Sequence, residues 1–220
     1  MSGDGILVEA AVDTLDQAVA AADAGVDRLE LCASLRIGGI TPNRGLLKAV
    51  LARVSIPVFV MIRPRGGDFV YAPEEIDKML LAIEMVRGTS AAGIVTGALT
   101  RDFEIDHYVM QQVVEAAGDL PITFHRAFDR ISNGDDLDQL VELGIARILT
   151  SGGKSSALVG ADSIASLVKG AGADITIIAG GFVRARNVRE VVRRTGVREV
   201  HSRFVSPVEM AKLVAGARNI

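Results

Sequence analysis

The chain has no tryptophan, two tyrosines and a single cysteine in 220 residues. One thiol cannot close an intrachain disulfide, so the fold must rest on its core, and a reducing compartment is expected. There is no run of about 18 apolar residues of the kind that spans a bilayer. The opening stretch MSGDGILVEA lacks the basic-then-apolar order of a secretory signal. A large excess of charge is missing too. The 24 basic and 27 acidic side chains leave a formal charge of −3, which gives no general attraction for nucleic acid or an anionic membrane. These absences describe a cytoplasmic globular protein with neither nucleic acid nor membrane as a partner. Histidine is scarce as well, with three in all, so the position of each carries weight.

What is present is apolar and regularly arranged. Hydrophobic residues make up 49% of the chain and the mean hydropathy is +0.34, enough for one domain with a substantial core. Strand-like runs fall at residues 6–12, 28–33, 57–64, 92–99, 121–128, 146–152, 175–181 and 199–202. Helical spacing lies between them, as in Ile76, Met79, Leu80 and Ile83. Thr14 with Gln17, and Pro73 with Glu74 and Glu75, mark helix starts, while Gly25, Gly144 and Gly196 mark helix ends. The repeat, roughly 22–34 residues, is one βα unit. Nearly continuous apolar strands suit a parallel sheet covered on both faces. Strict alternation predicts an α/β fold, a (β/α)8 TIM barrel, as a single compact domain over residues 1–220. A doubly wound sheet would call for a G-x-G-x-x-G turn after the first strand, and AAVDTLDQA contains no glycine.

A barrel of this kind is expected to be apolar along its strands and to carry its chemistry at their carboxyl ends. Polar residues recur there: Glu9, Glu30 with Cys32, Arg63 with Arg65, His125 with Arg126 and Asp129, Thr150 with Ser151, and His201 with Ser202. Alternation puts Glu30 and Cys32 on one face, and Thr123 and His125 on one face. The predicted site therefore takes His125, Glu30, Glu9 and His201 as acid–base candidates. A blander arrangement has a capping histidine and a Glu30–Arg63 ion pair that only fixes register. Burying so many ionisable groups at one mouth without a ligand, however, would cost several kcal/mol.

Glycines follow strands six and seven, as Ser151-Gly152-Gly153 and Gly180-Gly181. Barrels commonly hold a phosphate on backbone N–H groups in this region. Ser151, Gly152, Gly153, Gly180 and Gly181, with Arg63 and Arg65, are accordingly the anion-binding candidates; the alternative is that the glycines only make tight turns. GGKS at 152–155 is not a P-loop, because Ile148 stands where the first glycine belongs. GGDF at 66–69 shares only letters with a cyclase signature. Of the five lysines only Lys154 lies near the mouth, beyond the strand, which does not suit Schiff-base chemistry.

With these pieces in place the chain resembles the CutC family of copper homeostasis proteins. The resemblance is carried by LELCASLRIGGITPNRGLL (29–47), MIRPRGGDFVY (61–71), TFHRAFD (123–129), RILTSGG (147–153) and EVHS (199–202). It implies a cytoplasmic barrel, a homo-oligomer and a copper-handling role. Copper(I) prefers soft sulfur ligands. The chain offers Cys32 as its one thiol, without a C-x-x-C or Met-x-x-Met cluster, and the methionines fit core positions. Cys32 with His125 or His201 would make only a weak copper site. Three functions stay open: a part in copper homeostasis, with Cu(I) or a divalent metal as cofactor, an enzyme acting on a small anionic metabolite, or a non-catalytic ligand-binding barrel. In the second, His125 is acid or base, Glu9 or Glu30 is its partner, and Arg63 is the anion clamp.

Overall fold

The computed structural model describes residues 5–131 and 136–220, so the first four residues of the opening stretch lie outside the described chain. Eight strands, β1 (Leu7–Val12), β2 (Arg28–Leu31), β3 (Val58–Met61), β4 (Gly93–Thr96), β5 (Ile122–Phe124), β6 (Arg147–Thr150), β7 (Thr176–Ala179) and β8 (Glu199–Arg203), form a closed parallel barrel in chain order. The closing pair sets Glu9 of β1 beside His201 of β8. Eight helices follow the strands in turn: α1 (Leu15–Asp23), α2 (Arg44–Leu51), α3 (Pro73–Arg87), α4 (His107–Ala117), α5 (Asp136–Glu142), α6 (Ala161–Ala171), α7 (Val188–Thr195) and α8 (Pro207–Arg218). No helix among the described residues is long and apolar enough to cross a membrane.

Local signals place the helices. The Thr14 side chain accepts from Gln17 N at 3.2 Å, and the Glu75 carboxylate accepts from Ala72 N at 2.9 Å, just before Pro73. One face of each strand is apolar and packs on the helices. Val8, Val12, Leu29, Leu31, Val60 and Ile94 join Leu47, Met79, Ile83 and Met110 in one buried cluster. Each such side chain contributes about 1.5–3 kcal/mol by leaving water. The strands are shorter at their carboxyl ends than the sequence pattern suggests. Arg63, His125 and Gly180 lie just beyond β3, β5 and β7. The His125 backbone N still donates to Thr96 O of β4 at 2.8 Å, while its side chain caps a short 3-10 helix over Arg126–Arg130, Nδ1 accepting from Ala127 N.

The other strand face departs from the expected apolar interior. Arg28 donates to Glu9 and to Glu199, each at 2.5 Å. Arg147 Nε donates to Thr123 Oγ1 at 3.0 Å. The Phe59 ring lies between the two guanidiniums, 5.1 Å from Arg28 and 3.9 Å from Arg147. Gly93 makes room for it, since a Cβ there would stand 2.1 Å from Phe59 Cε1. Charge survives inside this barrel because each group has a partner of opposite sign or an aromatic face. Even so, burial and the nearby Arg28 pull Arg147 down to about 10.

Candidate active site at the barrel mouth

A cavity of about 310 Å³ opens at the carboxyl ends of the strands. That is the lower end of the range for small-molecule pockets. Glu30, Met61, His125, Leu149 and His201 face it, and four arginines, Arg63, Arg126, Arg184 and Arg203, stand around them. Arg126 is neutralised by Asp129, which leaves three arginines and one carboxyl group around the cavity, so the electrostatics favour an anionic guest.

The acid–base residues form a connected set. His201 Nδ1 lies 2.7 Å from Glu9 Oε1, while Glu9 Oε2 is held by Arg28. Burial opposes ionisation of Glu9, but the His201 hydrogen bond and the Arg28 charge outweigh it and hold the carboxyl at about 2. His201 is pushed up despite burial, because Glu30 and Glu9 stabilise its charged form. A fixed carboxylate on one ring nitrogen orients the imidazole for proton transfer at the other. Glu30 is 3% exposed. Its Oε1 accepts from the Cys32 thiol at 3.3 Å, and its Oε2 has no partner among the described residues. Burial first, and then the Glu9 charge, raise its pKa.

His125 is also buried, and it stacks at 4.8 Å on Phe69. Because Nδ1 accepts from Ala127 N, the ring proton sits on Nε2, which has no partner among the described residues. Burial, helped by the Arg63 charge, drives this histidine down to about 3, so it is neutral near pH 7. It is therefore a hydrogen-bond donor to whatever occupies the cavity. Arg63 makes no ion pair with Glu30. Its guanidinium donates to the carbonyls of Gly38, Gly39 and Gly67 and lies over Phe69 at 4.7 Å. It fastens two loops over the mouth while facing the cavity. Arg65 turns elsewhere, to Glu75 and Asp68, and does not line the cavity.

The two glycine loops also part company. The backbone N–H groups of Ser151 and Gly153 already donate to Asp129, as do the Thr150 and Ser151 hydroxyls, and Gly152 N donates to Thr150 Oγ1. Arg126 Nε completes the shell around Asp129 at 2.7 Å. The protein's own carboxylate thus fills the anion position expected at Ser151, Gly152 and Gly153. At the other loop, Gly180 lets the chain pass Leu149, whose Cδ1 would be 2.5 Å from a Cβ, and Gly181 (φ +96°) lines the cavity. Arg184 and Arg203, not singled out from the sequence, supply the exposed charge on this side. Arg184 lies in the loop after β7 and Arg203 ends β8, the region where barrels of this class bind anions, and that signal was available in the sequence.

The donor set does not suit copper(I). Cys32 is fully buried and its thiol proton is engaged by Glu30. Burial and the Glu30 charge push the thiol well above its ordinary value, away from the thiolate a soft metal requires. Met61 packs in the same small inner cluster as Cys32, so two soft atoms share one region, but the groups gathered closely enough for a metal are Glu9, Glu30 and His201.

Comparison with known proteins fits this architecture. The chain is 46% identical over 209 residues to a CutC family protein of Caulobacter vibrioides, covering 94% of this chain and 85% of that one. It is 43% identical to the human copper homeostasis protein cutC homolog, over 91% of this chain and 74% of the human protein. Among solved structures, the CutC copper homeostasis protein of Streptococcus agalactiae superposes with a TM-score of 0.85 at 37% identity, covering 89% of this chain and 97% of that one. A thiamine phosphate pyrophosphorylase of Pyrococcus furiosus, with a TM-score of 0.65 at 14% identity over 96% of this chain and 95% of that one, shares the fold alone. The sequence profile of the CutC family matches residues 6–206, and the chain belongs to that family.

Proposed function

We propose that the mouth is an acid–base site for a small anionic molecule in the cytoplasm, and that this chain serves copper homeostasis through that molecule rather than by tight Cu(I) binding. One observation carries the reading: two buried polar atoms without partners among the described residues, Glu30 Oε2 and His125 Nε2, belong to residues that line the same arginine-edged cavity. Leaving such atoms unpaired costs about 1–3 kcal/mol each, a cost that a ligand reverses. The Arg184 and Arg203 side takes the anionic end. His125 donates from Nε2, and Glu30 and the Glu9-held His201 give and take protons at the reacting atoms.

A thermal-shift panel of phosphorylated and carboxylated metabolites, set against Cu(I), tests this. A fitting anion at a hundred times its Kd should add about 2.7 kcal/mol, and Arg184→Gln should remove that gain. A second reading rests on the shared packing of Cys32 and Met61. Tight Cu(I) binding lost in both Cys32→Ser and Met61→Leu, with no anion stabilising the fold, would favour it and overturn the first.

A further inference from the structure

We infer that the Glu9, Glu30 and His201 cluster is a site for a borderline divalent cation in the Mn(II) to Zn(II) range. One ligand atom from each of the three lies within 4.8 Å of the other two. Carboxylate oxygen and imidazole nitrogen bind such ions at about 2.0–2.2 Å, which sets ligand atoms about 3–3.5 Å apart. Glu9 Oε1 and His201 Nδ1, 2.7 Å apart, would spread to that spacing, and side-chain rotation would bring Glu30 to it. The supports behind the ligands are already built. Arg28 holds Glu9 Oε2 and leaves Oε1 toward His201, while the Cys32 thiol holds Glu30 Oε1 and leaves Oε2 bare. Ligating carboxylates are normally fixed in this way, one oxygen tied by an outer donor and the other turned to the metal.

A second observation points to a missing guest. Among the described residues Glu30 Oε2 is buried and unpartnered, and so is Nε2 of His125, which lines the same cavity. Two oxygens and one nitrogen form a hard-to-borderline set, which matches Mn(II), Co(II) or Zn(II) and not Cu(I). The cation would replace the proton shared by His201 and Glu9, and that proton leaves to solvent. His125, Arg184 and Arg203 stay outside the ligand set. The cation would take Glu30 and His201 from the proton-transfer role proposed above, so the site does not depend on that function.

Cobalt(II) titration of chelator-stripped protein tests the inference by visible absorption, with Zn(II) as competitor and calorimetry for stoichiometry. One equivalent should bind and be displaced by Zn(II). Glu30→Gln and His201→Gln should each weaken binding by more than the factor of about 10–100 typical of losing an outer-shell support. Cys32→Ser should keep the site and show no loss of a thiolate-to-cobalt band. Thermal melts confirm that each variant is folded, and Glu30→Asp, which keeps the charge, serves as a second reading of Glu30. Absence of saturable binding, binding that survives both Glu30→Gln and His201→Gln, or a thiolate band that vanishes in Cys32→Ser would each overturn the inference. Binding of inorganic phosphate to the stripped protein, and its loss in Arg184→Gln, reports on the anion proposal separately.

Discussion

The two sides of the barrel mouth use similar side chains to opposite ends. On the β5–β6 side, Asp129 is surrounded by two backbone N–H groups, two hydroxyls and Arg126, and none of its capacity is left over. On the β1–β2–β8 side, Glu30 and the Glu9-held His201 line the cavity, and the buried Glu30 Oε2 is unpaired among the described residues. Residue type does not separate the two, since both are acids near a strand end. Satisfaction of hydrogen bonds does. The first side is a joint that holds loops together, and the second carries the proposed site.

Breaking that contrast should cost most at the joint. Asp129→Ala strands several buried donors and should lower stability by roughly 3–5 kcal/mol, read from urea unfolding. A loss under 1 kcal/mol would mean that the joint is not structural. Glu9→Gln, which leaves Arg28 with a broken pair, should cost about 2–4 kcal/mol. Glu30→Gln removes a carboxyl that nothing pairs fully and should stay within about 1 kcal/mol of the parent. Equal losses from the two would erase the distinction drawn here.

Acid sharpens the comparison. The folded value of His125, about 3, lies below its ordinary 6.5, so the unfolded chain takes up the proton first and stability falls as pH drops from 6.5 toward 3. Glu9, at about 2 against 4.5, adds a further loss only below pH 4.5. The raised value of Glu30 gives the opposite slope just above its ordinary value of 4.5. The difference in unfolding free energy between the parent and His125→Gln between pH 5 and 6.5 therefore isolates the histidine. In NMR, the His125 ring should not titrate above pH 5, whereas His201 should titrate above the usual range. The smallest effect belongs to Arg65. Its pairs are surface-exposed, so Arg65→Gln should cost less than about 1 kcal/mol and leave phosphate binding unchanged, where Arg184→Gln abolishes it.

The barrel was legible in the sequence because βα alternation and apolar strand faces are local patterns. Glu30, His125 and His201 were legible as polar residues near strand ends, and all three line one cavity. Glu9, by contrast, lies mid-strand, fully buried, and reaches the cavity only through its contact with His201. Partner choice was not legible. Ser151, Gly152 and Gly153 read as an anion loop, but the anion is Asp129, about twenty residues earlier in the chain. Arg63 read as an anion clamp, with an ion pair to Glu30 as the alternative, and its guanidinium ties loop carbonyls. Which donor meets which acceptor depends on three-dimensional reach, and strand periodicity carries no information about that. The charged barrel interior escaped for the same reason, since Arg28, Arg147 and Glu199 are acceptable inside only once they find one another and Phe59.

The missing side chain at Gly93 has a consequence for the charged interior. The space it leaves is taken by the Phe59 ring, which stands 5.1 Å from the Arg28 guanidinium and 3.9 Å from that of Arg147. A methyl group at residue 93 would displace that ring and with it the aromatic face that Arg147 has in place of a carboxylate, so one absent side chain on β4 bears on whether the cations of β2 and β6 can stay inside.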